Sequence, residues 1–565
     1  MTFKQQLHQL TQQHSIIATI DLDQCPEDYN QAQKWITDIL TRLHKENYDH
    51  NERIIFTITQ DYFVKGNTTG LILKNLQVLL NEIDISNYFV VILSTNSELN
   101  VELADLAKIS QDQVPILGYV CEGEFTKISL DRHPHSYKEI YQYGSSNPIK
   151  INLEDLTTRE KFLLTESKTF CMYPWIHLHA FPTGDAHPCC YSEMAHTVGS
   201  TKRHTLKEIW NDRPMRDLRQ RMLTEQTSGA CNKCYEQETA GFFSGRQSAN
   251  KHFGHYINRV AETQPSGQLE RFEMTYWDIR FSNLCNLSCR SCGHIFSSSW
   301  HKDQAQLIGG DWSIKNQVLN YAGRTETDIW EQLIPHLDYV EQIYFAGGEP
   351  LMMAEHYNIL DELEKRKRWD VRLIYNTNFT HTRLKDRTVF DYWKRFQSVS
   401  VGASLDDMGT RAEYIRKGTN WDRVQRNREE MMQICPNVDF YISPTMSILN
   451  AWHLPDFHKN WVEQGLIRPQ DLNVNILQDP AHLRIDIAPA EYKEQLKEKY
   501  QEHLTWLRPQ DQLQRASVGF ESAIKFMEAT DNSSLIPTFW NKTLELDRIR
   551  NENALDVIPE LIALK

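Results

Sequence analysis

The sequence predicts an α/β fold divided into several domains, and three observations support this prediction. The chain has 565 residues, 40% of them hydrophobic, which is enough to bury three or four ordinary cores. Between residues 270 and 480, short apolar runs alternate with helical stretches, as they do in proteins built on a parallel sheet. A second set of apolar runs occupies residues 1–150, whereas amphipathic helices dominate residues 485–565.

Residues 1–150 are predicted to form a separate α/β domain. Helical periodicity at Tyr29–His44 and Gly70–Asn81 would supply the crossovers of a parallel sheet. Its buried strands are predicted at Ser15–Leu22, Arg53–Thr59, Tyr88–Thr95 and Val114–Val120. The segment has no Gly-x-Gly-x-x-Gly and no phosphate loop, so these residues assign it no chemistry.

Composition and charge disfavour several classes of protein. The formal net charge is −14 with no long basic run, which disfavours a nucleic-acid partner. No stretch approaches the ~20 apolar residues that span a bilayer, and the first residues, MTFKQQLHQL, are too polar for a signal peptide. We therefore predict a cytoplasmic protein without a membrane partner, in which clustered cysteines bind metal rather than form disulfides.

Cys285, Cys289 and Cys292 form the spacing Cys-x3-Cys-x2-Cys directly after an apolar segment. Three thiolates can hold three irons of a [4Fe-4S] cluster and leave the fourth iron open to a small molecule. Such an iron can chelate that molecule and pass it an electron. The alternative is a set of structural or zinc-bound cysteines.

This motif resembles the cluster motif of the radical S-adenosylmethionine (SAM) superfamily. The resemblance implies that SAM binds the open iron and is cleaved to a 5′-deoxyadenosyl radical. It also implies a partial (β/α)6 TIM-like barrel over residues 270–480, with the chemistry at the C-terminal strand ends. The six candidate strands are Trp277–Ser282, Val340–Ala346, Val371–Asn376, Val399–Ser404, Val438–Ser443 and Leu472–Leu477.

Further motifs match the family in the expected order. Gly347, Gly348 and Glu349 resemble the Gly-Gly-Glu motif, whose backbone contacts the methionine amino group. The other implied SAM contacts are polar side chains at or beyond later strand ends: Asn376 and Asn378, Ser404 and Asp406 on the ribose side, and Arg416 for the methionine carboxylate. Taken singly, each of these residues is also explained by a polar loop or a helix cap.

A second cysteine group lies before the predicted barrel, in residues 165–260. Its pattern Cys-x12-Gly-x4-Cys, followed by helical segments and Cys-x2-Cys, resembles the SPASM/Twitch auxiliary-cluster domain, and the shorter Twitch version fits better. The resemblance implies a second [4Fe-4S] cluster held by Cys171, Cys189, Cys231 and Cys234. In most family members this domain follows the barrel.

Two alternatives remain open for this second group. Cys190 is adjacent to Cys189 and is an equally suitable ligand by sequence. A zinc site of four cysteines, with His177, His179 or His187 as a substitute ligand, also suits the spacing. The thiols without a partner at metal spacing, Cys25, Cys121 and Cys435, are interpreted as buried small hydrophobes.

The function predicted from this resemblance is a radical SAM oxidoreductase that removes a hydrogen atom from a peptide or protein, leading to oxidation, a cross-link or epimerisation. A flavodoxin or ferredoxin is the implied electron donor. A small-molecule dehydrogenase is the first alternative, and a zinc-stabilised binding protein without catalysis is the second. No catalytic side chain is assigned by the sequence.

Overall fold

The computed structural model describes the strands within residues 16–151 and then residues 153–239, 244–511 and 514–565. The chain separates into two compact units, residues 1–135 and residues 136–565. Each unit is described by itself below. None of the described helices is long and apolar enough to cross a membrane.

The first unit contains one sheet of five strands in the order of the sequence. Its strands are β1 (Ile16–Asp21), β2 (Arg53–Thr59), β3 (Tyr88–Ser94), β4 (Ile116–Cys121) and β5 (Glu124–Lys127). The first four are parallel, and β5 returns antiparallel to β4. All four predicted strands are therefore present, while the predicted helices Tyr29–His44 and Gly70–Asn81 lie outside the described residues.

The second unit is organised around a sheet of eight strands. Its strands, in chain order with those of the smaller ladders, are β6 (Ile140–Tyr141), β7 (Lys150–Ile151), β8 (His177–Ala180), β9 (Asp185–His187), β10 (Gly199–Ser200), β11 (Tyr276–Ile279), β12 (Ser288–Cys289), β13 (Gln342–Phe345), β14 (Arg372–Thr377), β15 (Arg383–Leu384), β16 (Arg387–Thr388), β17 (Val399–Ala403), β18 (Arg416–Lys417), β19 (Asp439–Ile442), β20 (Thr445–Met446) and β21 (Asn475–Ile476). The main sheet runs β10-β9-β8-β11-β13-β14-β17-β19. The six strands from β8 to β19 are parallel, and β9 and β10 extend the sheet as an antiparallel meander.

Five of the six predicted barrel strands correspond to β11, β13, β14, β17 and β19. The sixth, predicted at Leu472–Leu477, is reduced to a bridge from Leu472 to Ile442 and the short pairing of β21 with β20. Pro444 interrupts the neighbouring strand here, because a proline cannot donate to the ladder. The described strands establish a mixed α/β fold with a large, mainly parallel sheet, and its closure into a partial barrel stays a prediction.

The main sheet includes a strand from the cysteine-rich segment, which the sequence did not predict. Strand β8 pairs parallel with β11 in a register that joins His177 to Tyr276 and Ala180 to Ile279. The segment with the second cysteine group is thus part of the same sheet as the first predicted barrel strand. The four-domain division stays a prediction.

The helices of the second unit connect the strands and cover the sheet. Their bounds are Thr158–Thr165, Leu206–Trp210, Arg213–Leu223, Asn232–Thr239, Gly245–Phe253, Trp300–Ile308, Trp312–Lys315, Asp328–Leu333, Ala354–Lys365, Val389–Trp393, Gly409–Ile415, Trp421–Ile434, Leu454–Glu463, Ala490–Leu507, Arg515–Ala529, Ile536–Arg550 and Ala554–Val557. The sequence predicted one helical stretch over Leu206–Leu223, and the structure has two helices. Asp212 caps the second of them, and Pro214 in its first turn cannot continue the preceding helix.

Side chains alternate between the two faces of the central strands. On β13 and β14, Ile343, Phe345, Leu373 and Tyr375 are buried in the core. The intervening residues of both strands are only half-buried. One face of the sheet therefore packs into the core. The other face, which we call the inner face, presents mostly polar side chains: Gln342, Tyr344, Arg372, Ile374 and Asn376.

Candidate cluster and cofactor site

The loop with the first cysteine group lies beyond the C-terminal end of β11. The Cys285 N–H donates to Ser298 Oγ at 3.1 Å, and the Ser299 hydroxyl donates to the Cys285 carbonyl at 2.7 Å. Further along the loop, β12 pairs antiparallel with β18, which places Cys289 opposite Arg416. These backbone contacts fix the loop from two directions.

The three thiols of this loop lie near one another. Burial raises the pKa of Cys285 well above its usual range, and the neighbouring Cys289 and Cys292 thiols raise it further. Burial also raises the pKa of Cys292 to about 11, with a contribution from Cys289. The guanidinium of Arg416 approaches the same place, with Nη1 3.6 Å from Cys289 Sγ. Buried thiols that oppose one another's ionisation suit a cationic iron cluster, which favours thiolates.

The glycines of the Gly-Gly-Glu motif form a tight turn at the end of β13. Gly347 and Gly348 have φ angles of +82° and +51°. A Cβ on Gly348 would lie 2.4 Å from the Leu284 carbonyl oxygen, which belongs to the cysteine loop. The Glu349 N–H donates to the same carbonyl at 2.7 Å. Glycine is needed here because the turn lies directly against the backbone of the loop.

The Glu349 carboxylate is buried within the scaffold beside the turn. It accepts hydrogen bonds from Thr377 Oγ1 at 2.7 Å and from the Asn378 and Leu351 N–H groups at 2.7 and 3.0 Å. Burial raises the pKa of Glu349 to about 7, although these hydrogen bonds act in the opposite direction. The carboxylate therefore ties the end of β13 to the end of β14.

Arg416 and Asp406 form a bidentate ion pair beside Cys289. Arg416 Nε and Nη2 lie 2.8 and 2.9 Å from the two Asp406 oxygens. The side chain of Asp406 is 1% exposed and also accepts from the Thr445 N–H at 2.8 Å. Burial alone would lower the pKa of Arg416, but Asp406 and Cys289 outweigh it and raise that pKa. One edge of the guanidinium is thus occupied by Asp406, and Nη1 points toward Cys289.

The other predicted SAM contacts lie at the ends of β14 and β17. Asn378 Nδ2 is 3.0 Å from Asn286 Oδ1 and 3.9 Å from Cys285 Sγ, so Asn378 contacts the cysteine loop. Asn376 instead donates to the Tyr344 hydroxyl at 2.6 Å on the inner face. The Ser404 N–H donates to the Thr377 carbonyl at 2.7 Å. The structure therefore brings Glu349, Asn378, Asp406 and Arg416 around the cysteine loop and places Asn376 to one side.

The second cysteine group gathers before β8 and beyond β9. Burial raises the pKa of Cys189 well above its usual range, and the Cys190, Cys171 and Cys231 thiols add to the effect. Burial likewise raises the pKa of Cys171 well above its usual range, and the Cys231 and Cys234 thiols raise it further. The Cys190 thiol lies close to Asp278 of β11, which raises its pKa in addition to burial. Cys189 therefore lies near Cys171 and Cys231, whereas Cys190 lies near Asp278.

Two of the three histidines of this segment contact the first barrel strand. His177 stacks on Tyr276 with a ring-centroid distance of 4.3 Å, and His179 Nδ1 lies 3.1 Å from Asp278 Oδ2. Burial lowers the pKa of His177 to about 4. Across the described ranges, no group of three or more His, Cys, Asp or Glu side chains is arranged to hold a single metal ion.

Sequence reasoning missed a row of polar residues on the inner face. Arg280 Nε lies 2.8 Å from Asp278 Oδ1, and its guanidinium carbon is 4.8 Å from the centre of the Tyr344 ring. The row continues through Asn376 to Tyr441, whose ring would contact a Cβ at Gly402. A signal for it existed, since Asp278 and Arg280 alternate with apolar residues in the run WDIRF.

Comparison with known families gives one match, over the second cysteine group. Residues 171–235 match the family model of SPASM, an iron–sulfur cluster-binding domain. This range includes Cys171, Cys189, Cys231 and Cys234. No curated protein matches the chain.

Several solved structures resemble part of the chain. Native anSMEcpe with bound AdoMet and Kp18Cys peptide is 18% identical over 41% of this chain and 60% of its own, with a TM-score of 0.29. The same protein with bound AdoMet is 20% identical over 41% of this chain and 58% of its own, with a TM-score of 0.28. TYW1 with a lysine-pyruvate adduct is 12% identical over 40% and 70%, with a TM-score of 0.22. At these TM-scores the likenesses carry no weight for fold or function.

Proposed function

We propose, from the premise that the chain is a radical SAM enzyme with a SPASM domain, that it removes a hydrogen atom from a peptide or protein substrate. The premise rests on the family match over residues 171–235 together with the cysteine loop of residues 285–292. When bound, a reduced [4Fe-4S] cluster and SAM supply a 5′-deoxyadenosyl radical as the hydrogen acceptor. The class of reaction proposed is an oxidation, a cross-link or an epimerisation.

The placement of the two cysteine groups carries this proposal. Strands β8 and β11 are parallel and in register, so their N-terminal ends lie together. Cys171 precedes β8, whereas Cys285 follows β11, and the two groups therefore lie toward opposite ends of this strand pair. Asp278 and Arg280 lie in between: Asp278 contacts Cys190 on one side, and Arg280 contacts the Gly347 turn on the other. A substrate on this inner face would lie between a radical source and an electron acceptor.

The residues around the first group fit SAM in distinct roles. We assign the backbone of Gly347 and Gly348 to the methionine amino group, since their turn lies directly beside the cysteine loop. Glu349 is assigned to the scaffold, since its buried carboxylate accepts from three donors of the protein and holds that turn to β14. We assign Nη1 of Arg416 to the methionine carboxylate, since Nε and Nη2 already donate to Asp406.

The donor sets fit iron–sulfur clusters. Three mutually close thiols at Cys285, Cys289 and Cys292 would hold the SAM cluster and leave one iron open. Cys171, Cys189, Cys231 and Cys234 would hold the auxiliary cluster; Cys171 and Cys234 are buried, and Cys189 and Cys231 are half-buried. A peptide or protein substrate is favoured because residues 1–135 form a separate compact unit that is large enough to bind one. A flavodoxin or ferredoxin is the proposed electron donor.

The test is iron and sulfide content with EPR on anaerobically reconstituted protein. Wild type should hold about eight irons, and a Cys285/Cys289/Cys292→Ala variant about four. Cys435→Ala is the matched control, since Cys435 is a buried thiol outside both groups and should leave the content unchanged. Addition of SAM should change the EPR signal of the wild type and leave the signal of the Cys285/Cys289/Cys292→Ala variant unchanged.

Two outcomes would overturn parts of the proposal. Zinc in place of iron in both groups would exclude a radical enzyme. If 5′-deoxyadenosine forms from SAM at full rate with a small molecule and without a peptide, the proposal of a peptide substrate is wrong. In that case the small-molecule dehydrogenase takes its place.

A further inference from the structure

The last long helix of the chain ends against the backbone of the first cysteine loop. Arg550, the final residue of the helix Ile536–Arg550, has a side chain that is 2% exposed. Its Nη2 donates to the Ser288 carbonyl at 2.7 Å, and Nε and Nη2 donate to Asp303 at 3.0 and 2.8 Å. The guanidinium also lies 4.9 Å from the centre of the Trp300 ring. Trp300 Nε1 donates in turn to the Cys289 carbonyl at 2.8 Å.

A second contact from the same helix holds the side chain of Arg290, which directly follows Cys289. Arg290 Nη2 binds Asp547 and, at 2.7 Å, Glu552. Its guanidinium carbon lies 3.6 Å from the centre of the Tyr414 ring, and the Tyr414 hydroxyl donates to Asp547 at 2.9 Å. The side chain of Arg290 is 3% exposed, so this charge is compensated entirely within the protein.

The loop is consequently held on both sides. On one side, Ser288 and Cys289 pair with Lys417 and Arg416 of β18. On the other, Arg550 takes the Ser288 carbonyl. Glu552 joins the two sides, since it also pairs with Lys417 at 2.7 Å.

We propose that Arg550 and Asp547 are positioning residues for the Cys285–Cys292 loop, so that the C-terminal helix sets where its thiols lie. Among the described contacts neither residue hydrogen-bonds to a thiol: Arg550 acts on the Ser288 backbone and Asp547 on Arg290. Burial raises the pKa of Cys289, and the charge of Arg550 acts in the opposite direction. The cluster part of this inference rests on the proposed function, whereas the positioning of the thiols does not depend on it. The carboxyl terminus thereby determines the geometry of a motif that lies more than 250 residues earlier in the chain.

Variants of Arg550 separate charge from geometry. Arg550→Gln removes the cation and the fork, and Arg550→Lys keeps the charge but loses the bidentate contact. Arg368→Gln is the matched control, because Arg368 also binds a carboxylate, Asp370, and two backbone carbonyls, those of Leu337 and Val340, at a distant strand start. Thermal midpoints of all variants report any general loss of stability.

The first readout uses the metal-free protein and needs no cluster. Alkylation of each cysteine by iodoacetamide is followed by mass spectrometry, with the buried Cys435 as the internal reference. We expect Cys289 in Arg550→Gln to react at least tenfold faster than in wild type, with Arg550→Lys between them and Arg368→Gln unchanged. Equal rates in Arg550→Gln and wild type would overturn the proposal, as would an equal rise in Arg368→Gln.

The second readout is the reconstituted protein. Arg550→Gln should lose the iron of the first group or shift its EPR signal and midpoint potential, while the iron of residues 171–234 is retained. Full iron with an unchanged signal and potential would overturn the proposal. If the wild type itself binds no iron at Cys285, Cys289 and Cys292, the proposed function fails, and the alkylation rates still decide the positioning role.

Discussion

At the scale of single residues, burial and hydrogen bonding assign roles that motif matching leaves open. The resemblance groups Glu349 with Gly347 and Gly348 as an implied SAM contact, yet the Glu349 side chain is turned into the scaffold and bound by three donors. Asp406 matched the ribose side by sequence and is the partner of Arg416 in the structure. Spacing identified these positions, but the direction of a side chain depends on neighbours that are distant in sequence.

Glu349 should make stability depend on pH. Its pKa in the folded protein is about 7, above the ordinary value of 4.5, so the folded state binds the extra proton between these limits. Stability should therefore be greatest below pH 4.5 as far as this group is concerned, and fall as pH rises toward 7, by an amount on the order of 3 kcal/mol. Denaturant titrations of metal-free wild type and Glu349→Gln across pH 5–8 check this. A slope that survives in the variant would assign the effect to another group.

Gly348→Ala should impair SAM binding because the added Cβ would collide with the Leu284 carbonyl oxygen. This effect should add to the strain of the positive φ angle. Gly409 is a matched control: its φ is +56°, but a Cβ there would meet nothing within 4 Å. Gly409→Ala should cost only about 1–2 kcal/mol of stability. Gly348→Ala should cost more and weaken SAM binding at least tenfold, measured by equilibrium dialysis on reconstituted protein. Equal effects of the two substitutions would contradict the contact with Leu284.

At the scale of elements, apolar runs located nine of the ten strands that they predicted. The predicted Arg53–Thr59 and Val399–Ser404 differ from β2 and β17 by no more than one residue at either end. Strand β8 was not predicted because its run of four residues, in which two histidines alternate with apolar residues, is too short to be distinguished from a loop, and its partner β11 lies about 100 residues away. Local pattern predicts where a strand is, whereas its neighbour in the sheet is chosen by tertiary contacts.

The helix Arg213–Leu223 should support the second cysteine group, since it lies between Cys189 and Cys231 in the chain. Asp212→Ala removes the side chain that accepts from the Arg213 N–H and should cost about 1 kcal/mol. Asn420→Ala removes a comparable cap from the helix Trp421–Ile434. We expect faster loss of iron to a chelator in Asp212→Ala than in Asn420→Ala at a similar cost in stability. Identical rates would mean that this helix does not support the group.

At the scale of the whole molecule, both cysteine groups belong to the second compact unit, residues 136–565. The changing pattern of apolar runs, cysteines and amphipathic helices along the sequence predicted separate regions, and the composition predicted a globular protein. It had no means of relating the C-terminal helices to the cysteine loop, because ion pairs between residues 290 and 547 leave no periodic signal.

The fragment 136–565 should therefore fold and retain the iron of both groups. If residues 1–135 dock the substrate, the fragment should lose most of its affinity for a substrate peptide while still cleaving SAM. Binding titrations on the full chain and the fragment, with iron content as the control for integrity, decide this. Unchanged peptide affinity would assign docking to the second unit.

The pairing of β8 with β11 also limits where the chain can be divided into fragments. Removing residues up to about 270 would turn β11 into an unprotected edge, whose free N–H and C=O groups invite pairing with another copy. Transplanting either cysteine-containing region into another protein would require the recipient to supply the missing strand. The two regions are thus joined by backbone hydrogen bonds, and exchange of one without the other should yield aggregates rather than hybrids.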